Sequence, residues 1–435
     1  MHFDLIVVGG GPGGAKAAQV AARAGKKVAL VSDDLGGECL NYGCIPSKTY
    51  LSTADLFEKV SEFRGGFIAE NPRLDWEQMK SYKRKIVEKL KKKLEYSVTQ
   101  AGAEIIAGRG VIGTDGKSVE VDGSTYTCDF LILAMGSRAR MLPNMQVSST
   151  IVTNRELLEL SAVPQKLLIV GGGAIGVEFA SIFNALGSAV TIVEHGPQLL
   201  PHEDATIAAE LARVFERKKI AIRTGVAATE EDFAQHDVAL IAIGRAPNFD
   251  AQLATQLGIT TSEHGIVTNE FMQSSIPHIY AIGDLAGKAL LAYTAEREGE
   301  IAVQHIFGQQ PQPLNYTVVA NTIFSLPEVG SAGLSEAAAQ AQYPNDLLIG
   351  TAPFSANAKA LILGSRDGLA KIIVQKSTGK LLGIHLIGEK STELIAEGSL
   401  ALAHNMTLKD LYNNLHSHPI LGEIIKEACE SALYA

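Results

Sequence analysis

The sequence predicts an α/β fold, and three observations carry that prediction. A glycine-rich strand–turn–helix–strand unit occurs twice, residues 5–32 matching residues 167–194 without a gap at an offset of 162. The chain has 435 residues, too many for one ordinary core, so several domains are expected. Its last quarter mixes strand-like runs such as Ala370-Lys371-Ile372-Ile373-Val374 with helix-like terminal segments.

The repeat is the strongest of the three. Ile6-Val7-Val8-Gly9-Gly10-Gly11 matches Leu168-Ile169-Val170-Gly171-Gly172-Gly173, and Gly14, Gly25 and Val31 match Gly176, Gly187 and Val193. Each copy reads as an apolar strand, G-x-G-x-x-G, a helix, a glycine and a second apolar strand, the opening βαβ of a dinucleotide-binding domain of the Rossmann type. The first glycine of each copy (Gly9, Gly171) permits the tight turn. The second (Gly11, Gly173) lets backbone approach a pyrophosphate, and the third (Gly14, Gly176) lets helix pack on strand. The helix N-terminus then offers unpaired N–H groups and the positive end of its dipole. Two such units imply two dinucleotides, and FAD with NAD(P) is the natural pair, because a flavin exchanges hydride with nicotinamide and electrons with thiols.

The second copy ends its strand on Glu194, an acid able to accept from a ribose 2′-hydroxyl and to repel a 2′-phosphate, which favours NAD over NADP. In the first copy the same offset falls on Ser32. Asp33 and Asp34 follow, and the pattern leaves open which holds that ribose; Asp33 is the nearer candidate.

Directly after the first unit comes Gly36-Gly37-Glu38-Cys39-Leu40-Asn41-Tyr42-Gly43-Cys44-Ile45-Pro46-Ser47-Lys48. The chain has only four cysteines, too few for a disulfide scaffold, so a close pair points to redox chemistry or a metal. No Cys or His follows within the next 50 residues, which disfavours a metal site, and none is expected. A helix beginning near Cys39 would need an underwound turn to bring the sulfurs together, helped by Gly43, with Pro46 interrupting the ladder later. Cys128 and Cys429 lie in apolar runs and read as buried small hydrophobes.

Composition excludes other classes. The net charge of −9 argues against a nucleic-acid binder. The basic run Lys83 to Lys93 carries Ile86, Val87, Leu90 and Leu94 at helical spacing, so it reads as the solvated face of an amphipathic helix. Nothing approaches the apolar length of a membrane span, and no signal peptide opens the chain, so a cytoplasmic protein is expected.

The cysteine segment resembles the G-G-T-C-L-N-x-G-C-I-P-S-K signature of the class I pyridine-nucleotide disulfide oxidoreductases, and Ile45-Pro46-Ser47-Lys48 resembles the dihydrolipoyl dehydrogenase and mercuric reductase branches more than glutathione reductase. The likeness runs through Gly244-Arg245-Ala246-Pro247-Asn248, Ile279-Tyr280-Ala281-Ile282-Gly283-Asp284 and His418-Pro419-Ile420-Leu421-Gly422-Glu423. It implies Cys39 as the interchange thiol, Cys44 as the thiol facing the flavin, and His418 oriented by Glu423 as the acid/base in the active site of a second copy. It also implies Lys48 paired with Glu178 near the flavin, Gly136 and Asp284 at FAD, and Gly244 at NAD. The implied activity is oxidation of a lipoylated carrier protein or lipoyl domain by NAD+ through FAD, in a homodimer. The alternatives are an NAD(P)H-dependent reductase of another disulfide, and an FAD-binding paralogue without catalysis.

The division expected from this resemblance is an FAD-binding domain over 1–145 with a return segment over 262–311, a NAD-binding domain over 146–261, and an α+β dimerisation domain over 312–435. The chain departs from the family pattern at Glu38 and Met135, each usually Thr, and at Tyr293, where dihydrolipoyl dehydrogenases carry His. Residues 224–237 are shorter than the usual β-meander and read as a loop or short helix. A buried carboxylate at Glu38 would disfavour a neighbouring thiolate, so it must be solvated or functional.

Overall fold

The computed structural model describes residues 1–63 and 65–434, and its contacts divide the chain into two compact units.

The first unit comprises 1–49, 80–140 and 244–314. Its sheet is built around the strand His2–Val8, which pairs in parallel with Val28–Ser32 on one side and Ser124–Leu133 on the other, in registers that set Leu5 opposite Val28 and Phe130. The apolar stretches 5–8, 28–31 and 131–133 of these strands are buried, as in a parallel sheet covered on both faces. The strand Glu104–Ala107 extends the sheet in parallel beyond Val28–Ser32, and Ile279–Ala281 pairs in parallel with Ser124–Leu133. On the face carrying the helices, Pro12–Arg23 packs against Ala292–Ile306. A Cβ on Gly13 would lie 2.8 Å from the Ala295 carbonyl oxygen, and one on Gly299 would lie 2.8 Å from that of Gly13, so the two glycines set the helix separation. The basic run lies in the helix Trp76–Gln100. Arg84, Lys85, Lys89, Lys92 and Lys93 are exposed as expected, but Lys83 is buried, so the solvated face is narrower than the charge run suggested.

The second unit comprises 50–79, 141–243 and 315–435 and holds two sheets. The first is parallel, in the order Ala221–Thr224, Ala189–Glu194, Lys166–Val170, Val238–Ile241, Ile151–Val152. The short helix expected over 224–237 is present. Between Ala221–Thr224 and Val238–Ile241 there is only the helix Glu230–Ala234, started by a capping box of Thr229 and Asp232, and Arg223 pairs with Asp232. The second sheet is antiparallel, in the order Asn321–Ile323, Glu328–Gly333, Leu381–Gly388, Leu369–Gln375, Leu347–Pro353. The helices Ser391–Ala403 and Glu423–Leu433 pack on it. Within this unit Lys371 is buried and its ammonium reaches Asp204 at 2.7 Å, Glu336 at 2.6 Å and Thr206 at 2.9 Å. Cys128 and Cys429 are buried in the two cores, as their apolar surroundings predict.

Candidate active site

The two glycine-rich turns have the same geometry. Gly9 has φ +112° and Gly171 φ +111°, both in the region that side chains avoid. A Cβ on Gly9 would fall 2.2 Å from the Ala134 carbonyl oxygen, and one on Gly171 2.3 Å from that of Ala242. The third glycines are tighter still: a Cβ on Gly14 or Gly176 would lie 1.9 or 2.0 Å from the carbonyl oxygen of the first glycine. The middle glycines differ in kind, because a Cβ on Gly11 or Gly173 would meet nothing within 4 Å. Each caps a helix, Pro12–Arg23 and Ala174–Ala185, and no side chain caps either N-terminus. Glycine at these middle positions therefore answers to a group that approaches the backbone from outside, and the N–H groups behind it suit a pyrophosphate. Gly136, with φ +68°, is likewise open on its Cβ side.

At the end of the second unit's strand, Glu194 is held by two backbone donors, Gly172 N–H to Oε2 and Gly196 N–H to Oε1, each at 2.6 Å. A carboxylate keeps acceptor capacity after two such bonds. In the first copy Ser32 occupies the equivalent place, its Oγ lying 2.5 Å from where a Cβ on Gly10 would be. Asp33 is exposed at the strand end, whereas Asp34 accepts from Asn41 at 2.8 Å and Lys91 at 3.0 Å.

The cysteines lie against the first glycine turn, since Gly36 N–H donates to the Gly10 carbonyl at 2.8 Å and a Cβ on Gly37 would meet Gly11 Cα at 2.9 Å. The expected single underwound helix is instead two helices. Gly37–Asn41 carries Cys39, the chain breaks at Tyr42-Gly43, and Cys44 begins Cys44–Glu62. Pro46 accordingly falls in the first turn of the second helix, where its missing N–H costs nothing, rather than interrupting a ladder. It is Cys44 that gains the helix N-terminus. Both sulfurs are half-buried and unbonded to each other. The hydrogen bond to the Cys44 sulfur, then burial and the Cys44 charge, push the Cys39 thiol well above its ordinary range, against the opposing pull of Lys48 and the Cys44 N–H.

Glu38 is neither isolated nor simply solvated. Its carboxylate meets the Arg245 guanidinium at 3.3 Å. Arg245 also donates from Nε to Ser137 Oγ at 2.7 Å and from Nη2 to the Ser137 carbonyl at 2.8 Å, and the Ser137 hydroxyl donates to Asp284.

His418 and Glu423 belong to the second unit. His418 Nδ1 lies 2.9 Å from Glu423 Oε1, while Glu423 Oε2 accepts the Ile420 N–H at 3.0 Å. The His418 bond first, and the Ile420 N–H second, hold Glu423 below the usual carboxylate range. Nδ1 is thereby committed and Nε2 of the exposed ring is left for proton exchange. Glu178 is buried on Ala174–Ala185 and accepts the Phe324 N–H at 3.0 Å; Lys48 lies one turn beyond Cys44, in the other unit. Gly244 lies where the chain re-enters the first unit, and its carbonyl accepts the Arg140 N–H at 3.0 Å.

Sequence reasoning missed His416. Its ring is buried, with Nδ1 3.2 Å from the Asn414 carbonyl and Nε2 3.1 and 3.2 Å from the two Glu397 oxygens. A second histidine two residues before His418 was the only available signal. His416 and Glu397 border a cavity of about 350 Å³ that Lys359, Glu393 and Ile420 also line.

A family profile described as pyridine nucleotide-disulphide oxidoreductase matches residues 3–299, and that family's dimerisation domain matches residues 319–429. The chain is 37% identical to a dihydrolipoyl dehydrogenase of Chlorobaculum parvum, over 99% of this chain and 97% of that one. It is 35% identical to one of Bacillus subtilis, over 99% and 98%. The solved structure of LpdA from Mycobacterium tuberculosis superimposes with a TM-score of 0.89 at 27% identity, covering 98% of this chain and 99% of that one.

Proposed function

Because the chain belongs to the pyridine nucleotide-disulphide oxidoreductase family, we propose that it is a dihydrolipoyl dehydrogenase, oxidising the dihydrolipoyl group of a carrier protein with NAD+. The observation that carries this reading is the Cys39/Cys44 pair laid against the open Gly11 turn, with Cys44 at a helix N-terminus.

The residues of the first glycine turn, Gly136 and Asp284 fit FAD, and those of the second turn with Glu194 fit NAD. Bound there, FAD would supply a two-electron acceptor for the thiol pair and a hydride donor to NAD+. The chain's own residues do the rest. One substrate thiolate attacks Cys39 of the Cys39–Cys44 disulfide, forming a mixed disulfide and releasing Cys44 as thiolate. The second substrate thiol loses its proton to His418 Nε2 and attacks the substrate sulfur bound to Cys39, which releases the oxidised lipoyl ring and leaves the enzyme with both cysteines reduced. Glu423 keeps His418 in the tautomer that can accept. Lys48 and the helix N-terminus favour the Cys44 thiolate.

In this reading 1–145 with 262–311 bind FAD, 146–261 bind NAD, and 312–435 pair two copies, each dithiol being served by His418 of the partner subunit. Among the described residues no helix is long and apolar enough to cross a membrane, and the cytoplasm, where lipoylated carriers and NAD+ meet, is the compartment that suits the reaction.

The test is an anaerobic titration of the flavin-loaded protein with dihydrolipoamide, followed by NAD+. Long-wavelength absorbance should grow at two electrons and vanish on adding NAD+, and less so with NADP+. A flavin that dihydrolipoamide leaves unchanged while NADH bleaches it would move the assignment to a reductase of another disulfide; a flavin that neither reagent touches would move it to a non-catalytic paralogue.

A further inference from the structure

The acid that replaces the family's usual threonine beside the first cysteine has a partner 207 residues away in sequence. Glu38 stands in the first turn of Gly37–Asn41. Five residues cannot hold a helix by their own hydrogen bonds, so the segment bearing Cys39 depends on tethers at its ends. At one end Asn41 donates to Asp34 at 2.8 Å and to the Leu35 carbonyl at 3.1 Å. At the other, Glu38 meets Arg245.

Arg245 is itself fixed. It lies on the strand Arg245–Pro247, which pairs antiparallel with Ser137–Ala139, and these two strands flank the points where the chain leaves and re-enters the first unit. Two of its donors are spent on Ser137 and a third reaches Glu38, so the planar fork reads both partners at once. The side chains are 12% and 22% exposed, low enough for the charges to be felt locally rather than screened away. Asp284 lies 3.8 Å from the same guanidinium. One cation thus answers two carboxylates.

Resting on the reading above, we infer that Glu38 and Arg245 are a positioning pair for the redox dithiol. Arg245 neutralises the acid that adjoins Cys39 and ties the helix carrying that cysteine to the strand pair at the crossover. Lys48 lies on the second helix, and Glu38, Arg245 and Asp284 form the charge cluster that meets the first.

The sign of each substitution follows. Arg245→Met takes a positive charge from beside Glu38 and disfavours a thiolate, so the dithiol should ionise at higher pH. Glu38→Gln removes one of the two negative charges that Arg245 answers and should lower that pH while keeping an acceptor for Arg245. The double variant should return most of the way to the parent. The experiment is alkylation of the reduced, flavin-loaded protein by iodoacetamide across a pH series, with labelling at Cys39 and Cys44 read by peptide mass. Single-variant midpoints should move in opposite directions by about one pH unit, roughly tenfold in labelling rate below the midpoint. Arg245→Lys should recover much of the parent profile. Singles that move in the same direction, or a double variant no closer to the parent than Arg245→Met, would overturn the inference. Should Arg245→Met fail to load flavin, Glu38→Gln alone decides: a lowered midpoint supports the pair, and an unchanged or raised one refutes it. No lipoyl substrate enters the assay, so its outcome is independent of the substrate assignment.

Discussion

His418 Nδ1 and Glu423 Oε1 are 2.9 Å apart, and the other Glu423 oxygen caps the Ile420 N–H within the same turn. One carboxylate therefore fixes both the imidazole's tautomer and the loop that presents it. Glu423→Gln keeps the shape and removes the charge, and kcat for dihydrolipoamide oxidation should fall about 10- to 100-fold. His418→Gln should lower it by about 10² to 10⁴. Equal activity in parent and His418→Gln, measured at saturating substrate, would remove the histidine from the mechanism.

The pH dependence of that pair has a definite sign. Glu423 is depressed below its ordinary 4.5 by the His418 bond and then by the Ile420 N–H. Its contribution is complete above the ordinary value and is lost only as pH falls through the lower folded one. An acid limb of kcat between pH 5 and 7 should thus belong to other groups. It should persist in Glu423→Gln at reduced height, which a pH–rate profile of both proteins will show.

The glycine turns separate binding from folding. Gly11→Ala places its methyl in open space and should leave thermal unfolding of the apoprotein within about 1 kcal/mol of the parent, while weakening FAD retention measured after gel filtration. Gly14→Ala drives a methyl onto the Gly9 carbonyl oxygen and should prevent folding. Gly173→Ala and Gly176→Ala should divide in the same way for NAD+. Loss of folding in Gly11→Ala would show that no ligand explains that glycine.

Much of this was legible in the sequence because its causes are local. The strand, turn and helix of each βαβ unit lie within 28 residues, and glycine was required at the same three places in both. The short helix Glu230–Ala234 was legible for the same reason. What escaped depends on long-range partners. Nothing near Glu38 announces Arg245, and nothing near Lys83 announces that it is buried while its neighbours are solvated. The break at Tyr42-Gly43 was missed because the cysteine spacing allows one distorted helix as readily as two short-linked ones. Only the packing of Gly37 on Gly11 decides between them.

Glu194 makes nucleotide choice testable. Its carboxylate is held by the N–H groups of Gly172 and Gly196, so the charge lies at the end of the second glycine turn. Glu194→Gln loses that charge and one of the two backbone acceptors. The ratio of kcat/KM for NAD+ over NADP+ should fall at least about tenfold, the equivalent of roughly 1.4 kcal/mol. An unchanged ratio would place the 2′-hydroxyl elsewhere.

The buried Lys371 network sets an acid limit on stability. Burial alone would raise Asp204, but the Lys371 hydrogen bond and the N–H groups of Glu336 and Thr206 outweigh it and hold the carboxyl at about 2. Because the folded value lies below the ordinary 3.8, the stabilisation is complete above about pH 4 and is lost as pH falls toward 2. Lys371→Met removes the cation and leaves Asp204 buried without it, which should cost about 3–5 kcal/mol in chemical denaturation at pH 7. At pH 2.5, where the parent has begun to lose the same interaction, the gap between the two proteins should narrow. A gap that stays constant from pH 7 to 2.5 would mean that packing of the lysine stem, rather than its charge on Asp204, is what the fold requires.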